Sequence, residues 1–150
     1  MSSDRIDINK VNSSYYSPLL DLHKQLQDSS LSKSELLLIY MRASFINGCA
    51  YCIQSHIKDA IENGEKQYRI HALTAWEDSP YFSTEEQVIL KMTEEITDIS
   101  NYGVSDSTYH KAQETFTEDK IADIIMAGTC INAWNRIGRA TQLEPVKSQD

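Results

Sequence analysis

With 150 residues, the chain suits a single domain and is long enough to bury a real core. Its net charge of −8 argues against a nucleic-acid-binding surface, and its 41% hydrophobic and 24% charged residues are those of an ordinary globular protein. No apolar run approaches the roughly 20 residues of a membrane span, and the polar stretch 1–12 lacks the apolar segment of a secretory signal, so a cytoplasmic setting is expected.

Glycine and proline are scarce, five and three residues, and strand-like alternation is hard to find. The chain therefore reads as all-α, with about six or seven helices. Tyr15 to Gln27, with Leu19, Leu22 and Leu26, is the first. Ser32-Lys33-Ser34-Glu35 has the form of a capping box and opens a second helix to about Asn47. That helix is apolar on almost every side, which marks a central, buried position. Asn47-Gly48 stops it, because both residues tolerate a left-handed backbone. A third helix starts at Cys49 and stops at Asn63-Gly64, and a fourth spans about Lys66 to Trp76. A second capping box, Ser83 to Glu86, leads a helix through Ile99. Ser105 caps a shorter one to about Phe116, and Thr117 caps the last, to about Thr141. That last helix is apolar on more than one side, as in an oligomer or a very central element. The ends, 1–12 and 144–150, are expected to fray.

The informative segment is Cys49-Ala50-Tyr51-Cys52-Ile53-Gln54-Ser55-His56. On a helix, positions three and four apart share a face, so Cys49, Cys52 and His56 form one stripe. This stripe flanks the apolar one made by Ile53, Ile57, Ala60 and Ile61. The spacing allows a Cys49–Cys52 disulfide and brings His56 within reach of Cys52 as a proton acceptor. In a reducing compartment such a pair is more often catalytic or metal-binding than a permanent staple. A thiol reacts as its thiolate, and both a helix N-terminus and a nearby imidazole favour that form. Cys52 is then the attacking sulfur. It becomes a sulfenic acid on striking a peroxide, and Cys49 condenses with it to a disulfide, which an external dithiol must reduce.

Two other readings stay open. In one, both thiols are merely packed, as free cysteines often are. Alternatively Cys49, Cys52 and His56, with Cys130 as a fourth ligand, make a zinc set. Cys130 sits in a helix interior and is the more simply read as a small buried hydrophobe. A thioredoxin fold is disfavoured, since no βαβ context surrounds the motif. His23, His71 and His110 lack motif context and read as surface or interface residues. Trp76 and Trp134 read as core or interface aromatics.

The segment from Met41 to His56 resembles the core of the AhpD-like alkylhydroperoxidases of the carboxymuconolactone decarboxylase superfamily. The likeness continues through Ala72-Leu73-Thr74-Ala75-Trp76 and Ile131-Asn132-Ala133-Trp134-Asn135-Arg136, and so spans about Leu36 to Arg139. The resemblance implies one AhpD-like domain over 1–150 with its core motif at 36–76. It implies a homo-oligomer, often a trimer or hexamer, that reduces organic hydroperoxides with no cofactor or metal. Cys52 matches the peroxidatic thiol, Cys49 the resolving thiol and His56 the relay histidine, with a dithiol or a lipoyl-bearing protein as reductant. One departure matters. The family glutamate twelve residues before the first cysteine is here Leu37, and Glu35 lies about 200° around the helix from it. Asp59, one turn past His56, is the nearest candidate to complete the relay.

The leading expectation is thus a thiol-dependent peroxidase. A lactone decarboxylase is the first alternative. It needs an anion pocket, for which Arg42 and Arg136 are candidates, although salt bridging suits each better. A non-enzymatic redox or zinc protein is the second. Leu37, Met41, Phe45 and Ile53 fit an apolar site wall, but fit the core better.

Overall fold

The computed structural model describes residues 4–147. These form eight α-helices and one 3₁₀ helix, with no strand among the described residues. In chain order they are α1 (Ile8–Val11), α2 (Ser13–Leu26), α3 (Lys33–Asn47), α4 (Ala50–Glu62), α5 (Gln67–Ala72), the 3₁₀ helix Leu73–Asp78, α6 (Thr84–Thr97), α7 (Asp106–Thr115) and α8 (Glu118–Ala140). The all-α expectation holds, with one helix more than the reading of six or seven. The extra one is α1, capped by the Asp7 side chain, which accepts from the backbone N–H groups of Asn9 and Lys10. The fraying expected at 1–3 and 148–150 lies outside the described residues.

Helix α3 is the hub. It packs against α4, α6 and α8, while α8 also meets α2 and α6. A helix surrounded in this way must be apolar all round, and Leu36 to Met41 are buried without interruption. Its capping box forms as expected: Ser32 Oγ accepts from the Glu35 N–H at 3.1 Å, and Glu35 Oε2 accepts from the Ser32 N–H at 2.9 Å. The second box, at Ser83 and Glu86, forms the same way.

The single helix expected from Lys66 to Trp76 is broken. It passes from α into 3₁₀ geometry and loses helical dihedrals at Ala75 (φ −129°, ψ 41°). The irregularity accompanies the burial of Trp76, whose indole N–H donates to Glu94 Oε1 at 2.6 Å. A buried indole needs such an acceptor, and the pairing outweighs helical continuity.

Between α3, α6 and α8 lies a buried polar cluster. Asn47 Nδ2 donates to Asn132 Oδ1 and Asn135 Oδ1, both at 2.9 Å. Asn135 Nδ2 donates to Ser44 Oγ at 3.0 Å, and Asn132 Nδ2 donates to Thr97 Oγ1 at 3.1 Å and to the Gly128 carbonyl at 2.8 Å. The Asn132–Asn135 spacing on α8 is thereby explained: one turn apart, both side chains face α3.

Candidate active site

The turn between α3 and α4 sets the site. Gly48 closes α3 in the left-handed region, at φ 64°, where a side chain is disfavoured. Arg139 Nη1 donates to the Asn47 carbonyl at 2.7 Å and places a cation at the α3 C-terminus. The chain then turns directly into α4, with Cys49 as N-cap rather than as the first helical residue. Cys49 Sγ accepts from the Cys52 N–H at 3.4 Å.

Cys49 and Cys52 are joined by a disulfide, with Cα atoms 5.3 Å apart. Helix α8 crosses closely beside it, which the glycine at 138 permits. A Cβ on Gly138 would stand 2.9 Å from Cys49 Sγ and 3.4 Å from Cys52 Sγ. Of the two sulfur-bearing residues, Cys52 borders a cavity of about 630 Å³, while Cys49 is buried behind it. The cavity wall also takes Tyr51, Ser55 and His56 from α4, Tyr16, Leu20 and His23 from α2, and Trp134 and Ile137 from α8. Residues 5–9 and 141–144 complete its rim, and Arg5 Nη1 donates to the Ala140 carbonyl at 2.8 Å between the two segments.

His56 stands one turn beyond Cys52. Burial, reinforced by the charge of His23, depresses its pKa to about 4, so it is a neutral proton acceptor at neutral pH. Its ring lies 4.9 Å from that of Tyr40. Its Nδ1 is buried and, among the described residues, has no hydrogen-bond partner. Asp59 Oδ2 lies 3.9 Å from that nitrogen, close enough for charge to act and too far for a hydrogen bond. The Tyr40 hydroxyl is likewise buried without a partner, and desolvation pushes its pKa up, so it keeps its proton.

His23 is the residue that sequence reasoning misplaced. It is half-buried and forms part of the cavity wall, its ring 5.6 Å from Tyr40 and nearly parallel to it. Burial lowers its pKa, and Asp59 opposes the shift. The signal was present. His23 falls four residues after Leu19 and three before Leu26, on the buried stripe of α2. His71 and His110 are exposed, as expected.

The other candidates resolve simply. Leu37 and Met41 are buried in the core, Phe45 packs against it, and neither these nor Ile53 border the cavity. Glu35 is tied to Lys120 at 2.8 Å. Arg42 is paired with Glu94 at 2.8 Å, and Arg136 donates to the Asn132 carbonyl at 3.1 Å. Trp76 is core, whereas Trp134 faces the cavity with its ring edge-on to Tyr16 at 5.0 Å. Cys130 is fully buried, and desolvation raises its pKa. Among the described residues, no group of three His, Cys, Asp or Glu side chains converges as a metal site. No helix among them is long and apolar enough to cross a membrane.

Comparison with known proteins agrees with this geometry. Residues 15–95 match the model of the carboxymuconolactone decarboxylase family. The uncharacterized protein YdfG of Bacillus subtilis is 38% identical over 122 residues, covering 81% of this chain and 83% of that one. A solved structure from Agrobacterium tumefaciens, a protein of unknown function linked by name to antioxidant defence and AhpD, superposes with a TM-score of 0.92 at 28% identity, over 96% of this chain and 99% of that one. A peroxidase-related protein from Ralstonia eutropha JMP134 with an alkylhydroperoxidase AhpD core has a TM-score of 0.81 at 17% identity, over 93% and 74% of the two chains. With its paired cysteines on a short helix in an all-helical frame, this chain belongs to the carboxymuconolactone decarboxylase family and has the AhpD-like fold.

Proposed function

We propose that the protein is a thiol-dependent peroxidase that reduces organic hydroperoxides through a Cys49–Cys52 dithiol–disulfide cycle. The observation that carries this reading is the asymmetry of the pair. Cys52 borders a cavity of small-molecule size, while Cys49 lies behind it at disulfide distance.

The steps follow from that placement. In the reduced protein, Cys52 sits in the first turn of α4, where unpaired backbone N–H groups favour a thiolate. His56 takes the thiol proton. The thiolate attacks one peroxide oxygen, the O–O bond breaks, an alcohol leaves and Cys52 becomes a sulfenic acid. Cys49 displaces water from that sulfenic acid and forms the disulfide. A dithiol or a lipoyl-type carrier returns the pair to thiols by exchange. Asp59 acts on His56 through charge across 3.9 Å. The aromatic and aliphatic side chains Tyr16, Leu20, Tyr51, Trp134 and Ile137 suit an organic hydroperoxide better than hydrogen peroxide. The working form is a homo-oligomer in the cytoplasm.

A coupled assay with cumene hydroperoxide and dithiothreitol or dihydrolipoamide tests the scheme. Wild type turns over steadily and Cys52→Ser does not. Cys49→Ser completes one turnover and stops at a sulfenic acid trapped by dimedone. Steady turnover by both single-cysteine variants sinks the assignment.

A further inference from the structure

We propose that His23 is a second proton-carrying residue of this site and delivers the proton that the departing oxygen of the hydroperoxide requires. The inference rests on the peroxidase reading above.

The stoichiometry poses the problem. In Cys52–SH + ROOH → Cys52–SOH + ROH, an S–O bond forms and the O–O bond breaks. Sulfur gives up two electrons and the peroxide receives them. The proton lost by the thiol is the one the alkoxide must gain. Displacement at oxygen is in line, so the alkoxide departs on the side of the attacked oxygen away from the sulfur. His56 shares the helix of Cys52 and stands one turn from it, on the side of the attacking residue. A group from another element is better placed for the departing oxygen.

His23 is that group. It comes from α2, borders the same cavity as Cys52 and His56, and among the described residues its ring nitrogens make no hydrogen bond. The Tyr40 ring lies between the roles: it contacts His23 at 5.6 Å and His56 at 4.9 Å. Three groups nearby serve less well. The Tyr40 hydroxyl holds its proton, Cys130 is sealed in the core, and Asp59 does not border the cavity. Burial keeps both imidazoles neutral, so the pair is empty when the thiol ionises. A charge on one disfavours a charge on the other, so the two together take up at most one proton at a time. Both imidazoles border the same cavity, and across it that proton passes from Cys52 to His56, on to His23, and from His23 to the alkoxide.

The test compares leaving groups. An alkoxide needs a proton to depart, whereas the carboxylate released by a peracid does not. Reduced protein is mixed with tert-butyl hydroperoxide or with peracetic acid, and oxidation of Cys52 is followed in a single turnover. His23→Gln is expected to slow the reaction with tert-butyl hydroperoxide by about 100-fold, within the usual range for one acid–base group, and to leave the peracid rate within about threefold of wild type. His56→Gln slows both. Should His23→Gln fold poorly, His23→Ala with added imidazole replaces it, and imidazole is expected to restore the alkyl hydroperoxide rate alone. Equal losses with both oxidants, or no loss with either, overturn the role of His23 while the peroxidase reading stands. A wild-type protein that reacts with neither oxidant faster than free cysteine removes the peroxidase reading, and the role of His23 with it.

Discussion

Two buried polar clusters touch α3, and they are built on opposite terms. In the asparagine cluster, the side chains of Asn47, Asn132, Asn135, Ser44 and Thr97 meet one another at 2.9–3.1 Å. Beside the cavity, His56 Nδ1 and the Tyr40 hydroxyl are buried and make no hydrogen bond among the described residues. An unmet buried polar group costs about 1–3 kcal/mol, and a met one contributes about 1 kcal/mol. The first cluster locks α8 onto α3 and α6. The second leaves polar atoms unspent beside a reactive sulfur, as sites that bind or process ligands do. The same helix thus carries a region optimised for stability on one side and one that sacrifices stability on the other.

The largest expected effect lies on the cavity side. His56 stays neutral in the fold down to about pH 4, whereas an unfolded histidine protonates near 6.5. Between those values the unfolded chain binds more protons, so stability falls as the pH drops. Over that window the loss is about 3 kcal/mol, and His23 adds to it in the same direction. Urea midpoints at pH 7 and pH 4.5 measure this, and His56→Gln is expected to flatten the dependence. If the variant keeps the full dependence, His56 is not the source.

On the asparagine side, Asn135→Ala removes one acceptor for Asn47 and the donor to Ser44. It is expected to lower stability by about 2 kcal/mol in urea unfolding, with turnover per folded molecule unchanged. A fall in turnover without loss of stability would blur the division between the clusters.

Gly138→Ala separates redox states. Its Cβ would meet Cys49 Sγ at 2.9 Å while the disulfide pins that sulfur. The oxidised protein is expected to lose about 1–2 kcal/mol by overpacking. In the reduced protein Cys49 is free to rotate away, and the helical gain of about 1 kcal/mol from alanine offsets the loss. Unfolding curves with and without dithiothreitol measure the difference, and identical shifts in both states count against a seat for the disulfide.

The smallest expected effect has the opposite sign. Tyr40→Phe deletes an unmet hydroxyl and keeps the ring between His23 and His56. Stability is expected to hold or rise by up to about 1 kcal/mol in urea unfolding. A loss above that value would show that the hydroxyl is satisfied in solution.

Much of the fold was legible in the chain because its signals are local. Both capping boxes, the Asn47-Gly48 stop and the run Leu36 to Met41 act within a few residues, and each appears in the structure as read. The one clear misreading of an element, Lys66 to Trp76, arose where a distant residue, Glu94, draws Trp76 out of helical register. The site divides along the same line. Cys52 and His56 share a face because helical spacing requires it, and Cys49, the N-cap of the same helix, lies within disulfide reach of Cys52.

Everything that makes these three residues a site comes from afar in sequence. The cavity needs α2 for His23, α8 for Trp134 and Gly138, and both terminal segments for its rim. Local backbone preference determined that two thiols and an imidazole would gather at the start of one helix. Which thiol borders the cavity, and which second histidine joins the site, was decided only when α2 and α8 packed around that helix, since long-range packing leaves no short-range mark on the chain.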